Sequence, residues 1–354
     1  MPEFKATSQF IQENIKSVEP YGTGNINDTY LVQAETQKLI LQRLNTKIFE
    51  NPEFVSNNIK AYSEHLKSKL NGSYKKEWLV PEPLLTQNGQ EYFIDGEDYW
   101  RAFKFIDNAR TYEDIQSLKH ASEVGAALGK FHSLLSDLPV DSLYDSLPIF
   151  HIAPKYLAAY DKALASFKGD KKELTEYIDI VEQHRELFYL LEDAKDSGKL
   201  KMRVIHGDPK PSNVMISDDD FKAIAFVDLD TLKPGLIHYD IGDCLRSNCN
   251  PVGENGDPSK VVFDLDLMRG VLAGYLPQVE NFLTELDYDY IYDSVCLITL
   301  EMAIRFFADY LAGNVYFKVK HARHNLDRAI VQFELLKSIE AQEKEIKDII
   351  LELR

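Results

Sequence analysis

Short runs in which apolar and polar residues alternate fill the N-terminal part of the chain. IKSVEPYGTGNINDTYLVQAE, KLILQRL and EYFIDGEDYWRAFKFI carry the period-2 pattern of half-buried strands, and Gly or Asn/Asp turn signals punctuate them. They predict an antiparallel sheet between about Phe10 and Ile106. One stretch, NPEFVSNNIKAYSEHLKSKL, changes period: Phe54, Ile59, Tyr62 and Leu66 recur at roughly helical spacing, so one helix interrupts the sheet. Past Asn108 the helical period takes over. Long helices are predicted over EDIQSLKHASEVGAALGKFHSLL, ELTEYIDIVEQHRELFYLLEDAK, YIYDSVCLITLEMAIRFFADYLAG and LDRAIVQFELLKSIEAQEKEIKDIILEL. Two short β runs, RVIHGD with NVMI and FKAIAFVDLD, lie among them, and NPVGENGDPSK is the most loop-like segment. No internal repeat or low-complexity segment is present. The fold class is therefore α+β, with a sheet lobe over residues 1–106 and a mostly helical lobe over residues 107–354.

Charge narrows the partners. The chain has 354 residues, with 40 Lys+Arg against 57 Asp+Glu and a formal charge of −17, which disfavours nonspecific binding to nucleic acid or anionic lipid. A polyanionic ligand must then be met by a local site. No run approaches the ~20 apolar residues that cross a bilayer, and MPEFKATSQFIQENI lacks the basic flank and apolar core of a signal peptide. The expectation is a cytoplasmic protein, monomeric or weakly dimeric, without a membrane or nucleic-acid partner. Cys244, Cys249 and Cys296 form no Cys-x-x-Cys pair, and an odd count argues against a disulfide framework, so packing is their expected role.

Within VIHGDPKPSNVMI, Asp208 and Asn213 are separated by four residues, and Asp228 follows between apolar residues in AIAFVDLD. A buried carboxylate is costly, and a carboxylate beside an amide at fixed spacing is a way to hold a cation. The order His-x-Asp-x4-Asn, strand, Asp matches the catalytic loop and metal-binding Asp of kinases. HGDPKPSN followed by VDLD resembles the aminoglycoside phosphotransferase and choline kinase-like superfamily, which has His-Gly-Asp where protein kinases have His-Arg-Asp. The resemblance implies a two-lobed, protein-kinase-like fold that holds Mg²⁺ and ATP between its lobes. Phosphoryl transfer needs cations on the phosphates and a group that accepts the proton of the attacking hydroxyl. Asp208 is expected to be that base, with Asn213 and Asp228 as oxygen ligands of Mg²⁺. Asp230 has two readings, ligand of a second ion or cap of its loop.

Other positions follow from the same chemistry. Gly22 and Gly24 in YGTGNINDTY make a hairpin turn whose backbone is suited to cover phosphates, with Asn25, Asn27 and Thr29 beside it. The strand that should carry the phosphate-binding Lys reads LILQRL, with Gln42 at that position or, one residue on, Arg43; the helix that should carry its Glu partner has Asn57 or Asn58. A charged pair has thus become a neutral one, or Arg43 has taken its place. Phe105 and Ile106 in YWRAFKFIDN have two readings, a hinge that meets adenine or plain core. In LEMAIRFFADYLAG, Arg305 and Asp309 lie i, i+4 with Glu301 one turn earlier, which reads as a salt-bridge row or, on so apolar a helix, as a pair awaiting a ligand.

EPYGTGNINDTYLV, LILQRLNTKIF, WRAFKFI, VDLDTLKPG, YDIGD with Arg246 after it, and EMAIRFFADYLAGNVYF followed by HNLDRA together resemble the bacterial N-acetylhexosamine 1-kinases, from roughly Glu19 to Leu336. That family also has Gln at the position of Gln42. The resemblance implies transfer to the anomeric hydroxyl of a hexose or N-acetylhexosamine, giving a sugar 1-phosphate, with Asn25, Arg246, Arg305, Asp309 and Tyr316 near the sugar. Two positions depart from the pattern: Asn25 stands for a histidine and Ser247 for an aromatic residue. The rival acceptors are choline, homoserine and an aminoglycoside; the rival class is a non-catalytic nucleotide-binding protein.

Overall fold

In the computed structural model, which describes residues 1–22, 26–70 and 78–354, the chain begins with helix α1 (Pro2–Phe10) and strands β1 (Ile15–Pro20), β2 (Asp28–Ala34) and β3 (Lys38–Leu44). Then come α2 (Pro52–Lys69), β4 (Phe93–Asp95), β5 (Asp98–Lys104) and β6 (Ala109–Arg110). The rest comprises α3 (Leu118–Leu135), α4 (Ala153–Ser166), α5 (Thr175–Gln183), α6 (Leu190–Asp196), β7 (Arg203–Ile205), β8 (Val214–Ser217), β9 (Ala223–Phe226) and β10 (Lys233–Gly235), followed by α7 (Ile237–Asn248), α8 (Leu265–Val279), α9 (Glu285–Asp289), α10 (Ile291–Leu311), α11 (His324–Ala341) and α12 (Glu343–Leu353). This is the expected α+β architecture: an antiparallel N-terminal sheet and a mostly helical remainder.

Two compact units form. The first joins Met1–Arg110 to two later segments, Asp137–Leu147 and Met215–Lys233; the second is everything else. A single division at residue 106 thus becomes a first crossing after Arg110 and two returns.

In the first unit the strands order as β1-β2-β3-β5-β4, all antiparallel. Alternation in KLILQRL sorts its side chains. Leu39 and Leu41 join Val32, Ala34, Trp100 and Ala102 in a core closed by Ala6 and Phe10 of α1. Register sets Gln42 opposite Arg101 and Arg43 opposite Trp100, so Gln42 and Arg101 share the other face. Asn58 of α2 is fully buried. It donates to the carbonyls of Tyr144 and Leu232, both at 2.8 Å, and accepts the Tyr144 N–H at 2.8 Å, so one side chain ties all three segments of the unit together. Helix α1 was not read from the sequence.

In the second unit α3 and α8 meet backbone to backbone. A Cβ on Gly125 would lie 1.9 Å from the Val271 carbonyl oxygen, and one on Gly274 would lie 1.9 Å from that of Ser122, so only glycine permits the approach. Helix α10 is buried almost all round, as its apolar composition requires. Two predicted helices are broken. The 173–195 run stops at His184, whose ring Nδ1 bonds the Ile180 carbonyl at 2.7 Å and caps α5. The C-terminal run breaks at Gln342, whose amide donates to the Phe263 carbonyl at 2.9 Å.

Candidate active site

Strand β7 delivers His206, Gly207 and Asp208. Gly207 has φ 85°, a left-handed conformation that a side chain would strain, and so turns the chain sharply before Asp208. Asp240 of α7 accepts the backbone N–H groups of His206 and Gly207, each at 2.7 Å. His132 of α3 faces the same carboxylate at 2.9 Å and Tyr275 at 3.0 Å. Burial raises the Asp240 carboxyl, but the His132 contact, His206 and the two N–H donors outweigh it and hold it below the usual range. The backbone of His206 and Gly207 is thereby fixed.

The Asp208 side chain is 30 % exposed. Its Oδ2 accepts from Lys210 Nζ at 2.7 Å and Asn213 Nδ2 at 3.1 Å, while Oδ1 accepts no hydrogen bond among the described residues. Burial raises this carboxyl as well, yet Lys210, His206 and Asn213 bring it below the ordinary value, so it is charged at neutral pH. Asn213 Nδ2 also bonds the Asp208 carbonyl at 2.8 Å, and among the described residues its Oδ1, a hard oxygen, accepts no hydrogen bond. That fits Mg²⁺, which takes few protein ligands and keeps waters or phosphates for the rest.

The same unit carries the residues expected at the acceptor. His151 bonds Glu301 Oε1 at 3.1 Å and the Gly207 carbonyl at 2.9 Å. Arg305 does not pair with Asp309. Its Nη1 lies 3.8 Å from Glu301, and its guanidinium centre lies 4.9 Å from the Tyr156 ring, 5.4 Å from Phe150 and 5.9 Å from Phe317. Among the described residues it donates no hydrogen bond, although its side chain is only 12 % exposed. Asp309 instead anchors the segment after α10. Its Oδ1 accepts the N–H groups of Val315 and Tyr316 (2.9 and 2.8 Å), and its Oδ2 accepts those of Phe317 and the Asn325 amide (3.0 and 2.8 Å). Four donors fill its lone pairs. Tyr316, exposed, packs edge-on against Phe317. Arg246 is buried and satisfied by Asp243, Glu254 and Gln332, while Glu254 also accepts from Arg328.

In the first unit, Gly22 is left-handed, and Gly24 and Asn25 lie outside the described residues. Gln42 does not pair with Asn58, which is occupied as described above. It donates to Thr29 Oγ1 at 3.2 Å and accepts from Arg101 Nε and Nη2 at 3.1 and 2.8 Å. Arg101 also pairs with Asp230, which takes a further bond from Asn27. Arg101 of β5 is therefore the cation beside Gln42, and Asp230 is paired with Arg101 and Asn27. Arg43 points to the opposite face, bound to Asp28 and Asp98. Asp228 is exposed and left-handed (φ 59°) at the end of β9. Phe105 and Ile106 line a cleft of about 460 Å³ with Leu70, Trp78 and Lys104, and Phe105 meets Tyr21 edge-on.

The sequence reading did not single out Lys210, Asp240, His132, Arg101 or His151. Lys210 had a local signal, two residues beyond Asp208; the others act through contacts that no spacing reveals.

The profile of the phosphotransferase enzyme family, APH, matches residues 17–275. An aminoglycoside phosphotransferase from Alicyclobacillus acidocaldarius superposes with a TM-score of 0.65 at 13 % identity, over 98 % of this chain and 96 % of that one. A microcompartment-associated aminopropanol kinase gives 0.62 at 14 % identity, covering 97 % of each chain. The GDP complex of aminoglycoside 2'-phosphotransferase-IIIa gives 0.55 at 14 %, over 97 % of this chain and 100 % of the other. The family match defines a small-molecule kinase, a phosphotransferase with a hydroxyl acceptor. The chain belongs to the phosphotransferase enzyme family that includes the aminoglycoside phosphotransferases and choline kinase-like enzymes.

Proposed function

We propose that the protein transfers the γ-phosphoryl group of ATP to the anomeric hydroxyl of a neutral hexose or N-acetylhexosamine, in the cytoplasm. The observation that carries this reading is the state of the charges around Arg305. Every carboxylate described there already has internal partners: Asp243 and Glu254 hold Arg246, Glu301 meets His151 and Arg305, and Asp309 is filled by four donors. An ammonium acceptor would find each of these carboxylates already paired with a cation or filled by donors, and the aromatic rings that would cage it already face a guanidinium. Arg305, by contrast, has donors to spare for sugar hydroxyls or an N-acetyl carbonyl. We assign Tyr316 to the same acceptor site. Arg246 and Asp309 act as positioning residues, and Asn25 is left as an expected sugar contact.

Asp208 Oδ1 takes the acceptor proton, while Lys210 and Asn213 fix the other oxygen and keep the carboxylate ionised. Asn213 through Oδ1 and Asp228 through its carboxylate are the proposed Mg²⁺ ligands. Bound with the nucleotide, the ion would neutralise phosphate charge. Gly22, Gly24 and Gln42 are assigned to the phosphate side, and Phe105 and Ile106 to the adenine side. Arg43, turned away, loses its proposed part.

ATP consumption against a panel of neutral hexoses, N-acetylhexosamines, choline, ethanolamine, aminopropanol, homoserine and aminoglycosides tests the proposal. Turnover on a neutral sugar with formation of its 1-phosphate is expected, and Arg305→Ala should raise that sugar's KM at least tenfold, ~1.4 kcal/mol. Turnover confined to the amines would overturn it.

A further inference from the structure

His151 belongs to none of the motifs, yet it is tightly constrained beside the catalytic loop. It is 3 % exposed and has φ 63°, a left-handed conformation that a residue other than glycine adopts only when its surroundings impose it. Its ring lies against Phe150 at 4.0 Å and stacks on Tyr239 at 5.5 Å and 21°. Both ring nitrogens face oxygen acceptors. Nε2 is 2.9 Å from the Gly207 carbonyl, which can only accept, and Nδ1 is 3.1 Å from Glu301 Oε1. A neutral imidazole carries one N–H and can satisfy one of the two. An imidazolium satisfies both.

The groups facing the ring agree with a positive charge there. Helix α10 contributes Glu301, with Arg305 behind it at 3.8 Å; α7 contributes Tyr239 and, nearby, Asp243; the catalytic loop contributes the Gly207 carbonyl. Among the described residues Glu301 Oε2 is buried without a hydrogen-bond partner, so Oε1 carries the contacts of that carboxylate.

We propose that His151, as an imidazolium, is a positioning residue that locks the peptide immediately before Asp208 and ties it through Glu301 to Arg305, so that base and acceptor-binding guanidinium are held in one charge-linked chain. This rests on the assignment of Asp208 as base and Arg305 as acceptor contact, and adds what keeps the two in register. Burial alone would lower the basicity of His151, but the charge and hydrogen bond of Glu301, with Asp243 and the Gly207 carbonyl, outweigh it and raise it above the ordinary histidine value. Loss of the proton at alkaline pH would leave Gly207 or Glu301 without its donor.

Two measurements on the full-length protein test this. The first is side-chain ¹⁵N–¹H NMR of the histidines, with the His151 signal identified by its loss in His151→Asn, asparagine being among the residues that tolerate a left-handed backbone. At neutral pH both ring nitrogens should carry protons, and Glu301→Gln should return the ring to a single neutral tautomer. A single tautomer in the wild type overturns the proposal. The second is turnover of Mg·ATP with N-acetylglucosamine. His151→Asn should lower kcat by about 10²-fold, the scale of a small misplacement of reacting groups, remove the alkaline fall in kcat, and leave the KM for Mg·ATP within about twofold. A folded variant with wild-type kcat and pH profile overturns it. If the wild type phosphorylates no sugar, the function proposed above fails, and the NMR result still decides the protonation of His151.

Discussion

Arg101→Met removes the cation from a pair whose side chains are 4 % and 3 % exposed. What remains is Asp230 with the Asn27 amide as its described partner, and Gln42 Oε1 deprived of both donors. Breaking a buried pair from one side costs about 3–5 kcal/mol, because the surviving charge stays out of water without its counter-ion. Against a total stability of about 5–15 kcal/mol for a domain, such a loss exposes the first unit to unfolding at mild denaturant. Both tryptophans of the chain, Trp78 and Trp100, are buried in that unit, so tryptophan fluorescence follows it selectively. Far-ultraviolet circular dichroism is dominated by the helical second unit. Urea titration of Arg101→Met should move the fluorescence midpoint far more than the dichroism midpoint. Arg101→Met with Asp230→Leu should recover most of the loss, since an apolar pair carries no unpaired charge. A single variant within about 1 kcal/mol of wild type by fluorescence, the ceiling for an exposed pair, would refute the reasoning.

Asp208→Asn should cut turnover by ~10²–10⁴ while leaving ATP affinity nearly unchanged, measured by steady-state kinetics beside calorimetric titration; near-normal kcat would remove Asp208 from the mechanism. Asp309→Ala frees three backbone N–H groups and the Asn325 amide, and at about 3 kcal/mol for the set amide exchange at Val315, Tyr316 and Phe317 should quicken ~10²-fold by mass spectrometry. Unchanged exchange would deny Asp309 its anchoring role. His238 is buried in α7 among Asp287, Arg203 and His132, and burial lowers it to about 4 from the ordinary 6.5. The unfolded chain takes up this proton first, so the contribution is intact above about pH 6.5 and falls by about 3 kcal/mol as pH drops toward 4. His238→Gln should flatten that limb in urea titrations at stepped pH, and an equally steep acid loss in the variant would show that other groups carry it.

Local chemistry was legible and distant pairing was not. HGDPKPSN and VDLD stand out because Asp208 and Asn213 are five positions apart and Asp228 closes the apolar run AIAFV. The sheet was legible because period-2 alternation survives in KLILQ, where Leu39 and Leu41 are buried and their neighbours are not. Arg101 was missed because its partners, Gln42 and Asp230, lie 59 and 129 residues away. The spacing of Arg305 and Asp309 misled for a related reason. Helical geometry puts them on one face, but Glu301 and the N–H groups of residues 315–317 make better partners. The breaks at His184 and Gln342 stayed hidden because the periodicity continues through them and only a side-chain bond to a carbonyl ends the helix.

Asn58 sets a timetable for the birth of the molecule. Its two carbonyl acceptors belong to Tyr144 and Leu232, so the first unit cannot close until the ribosome has released the chain through Lys233. From Arg110 to Lys233 is 123 residues (233 − 110), and at ~5–20 residues per second this is a wait of about 6–25 s. During that interval a fully polar side chain destined for the interior, and the Arg101 guanidinium awaiting Asp230, stand unpartnered on a sheet already able to pair. A nascent chain stalled at Arg110 should therefore be protease-sensitive and bind chaperones, whereas one stalled far enough past Lys233 for that residue to clear the exit tunnel should show the first unit protected.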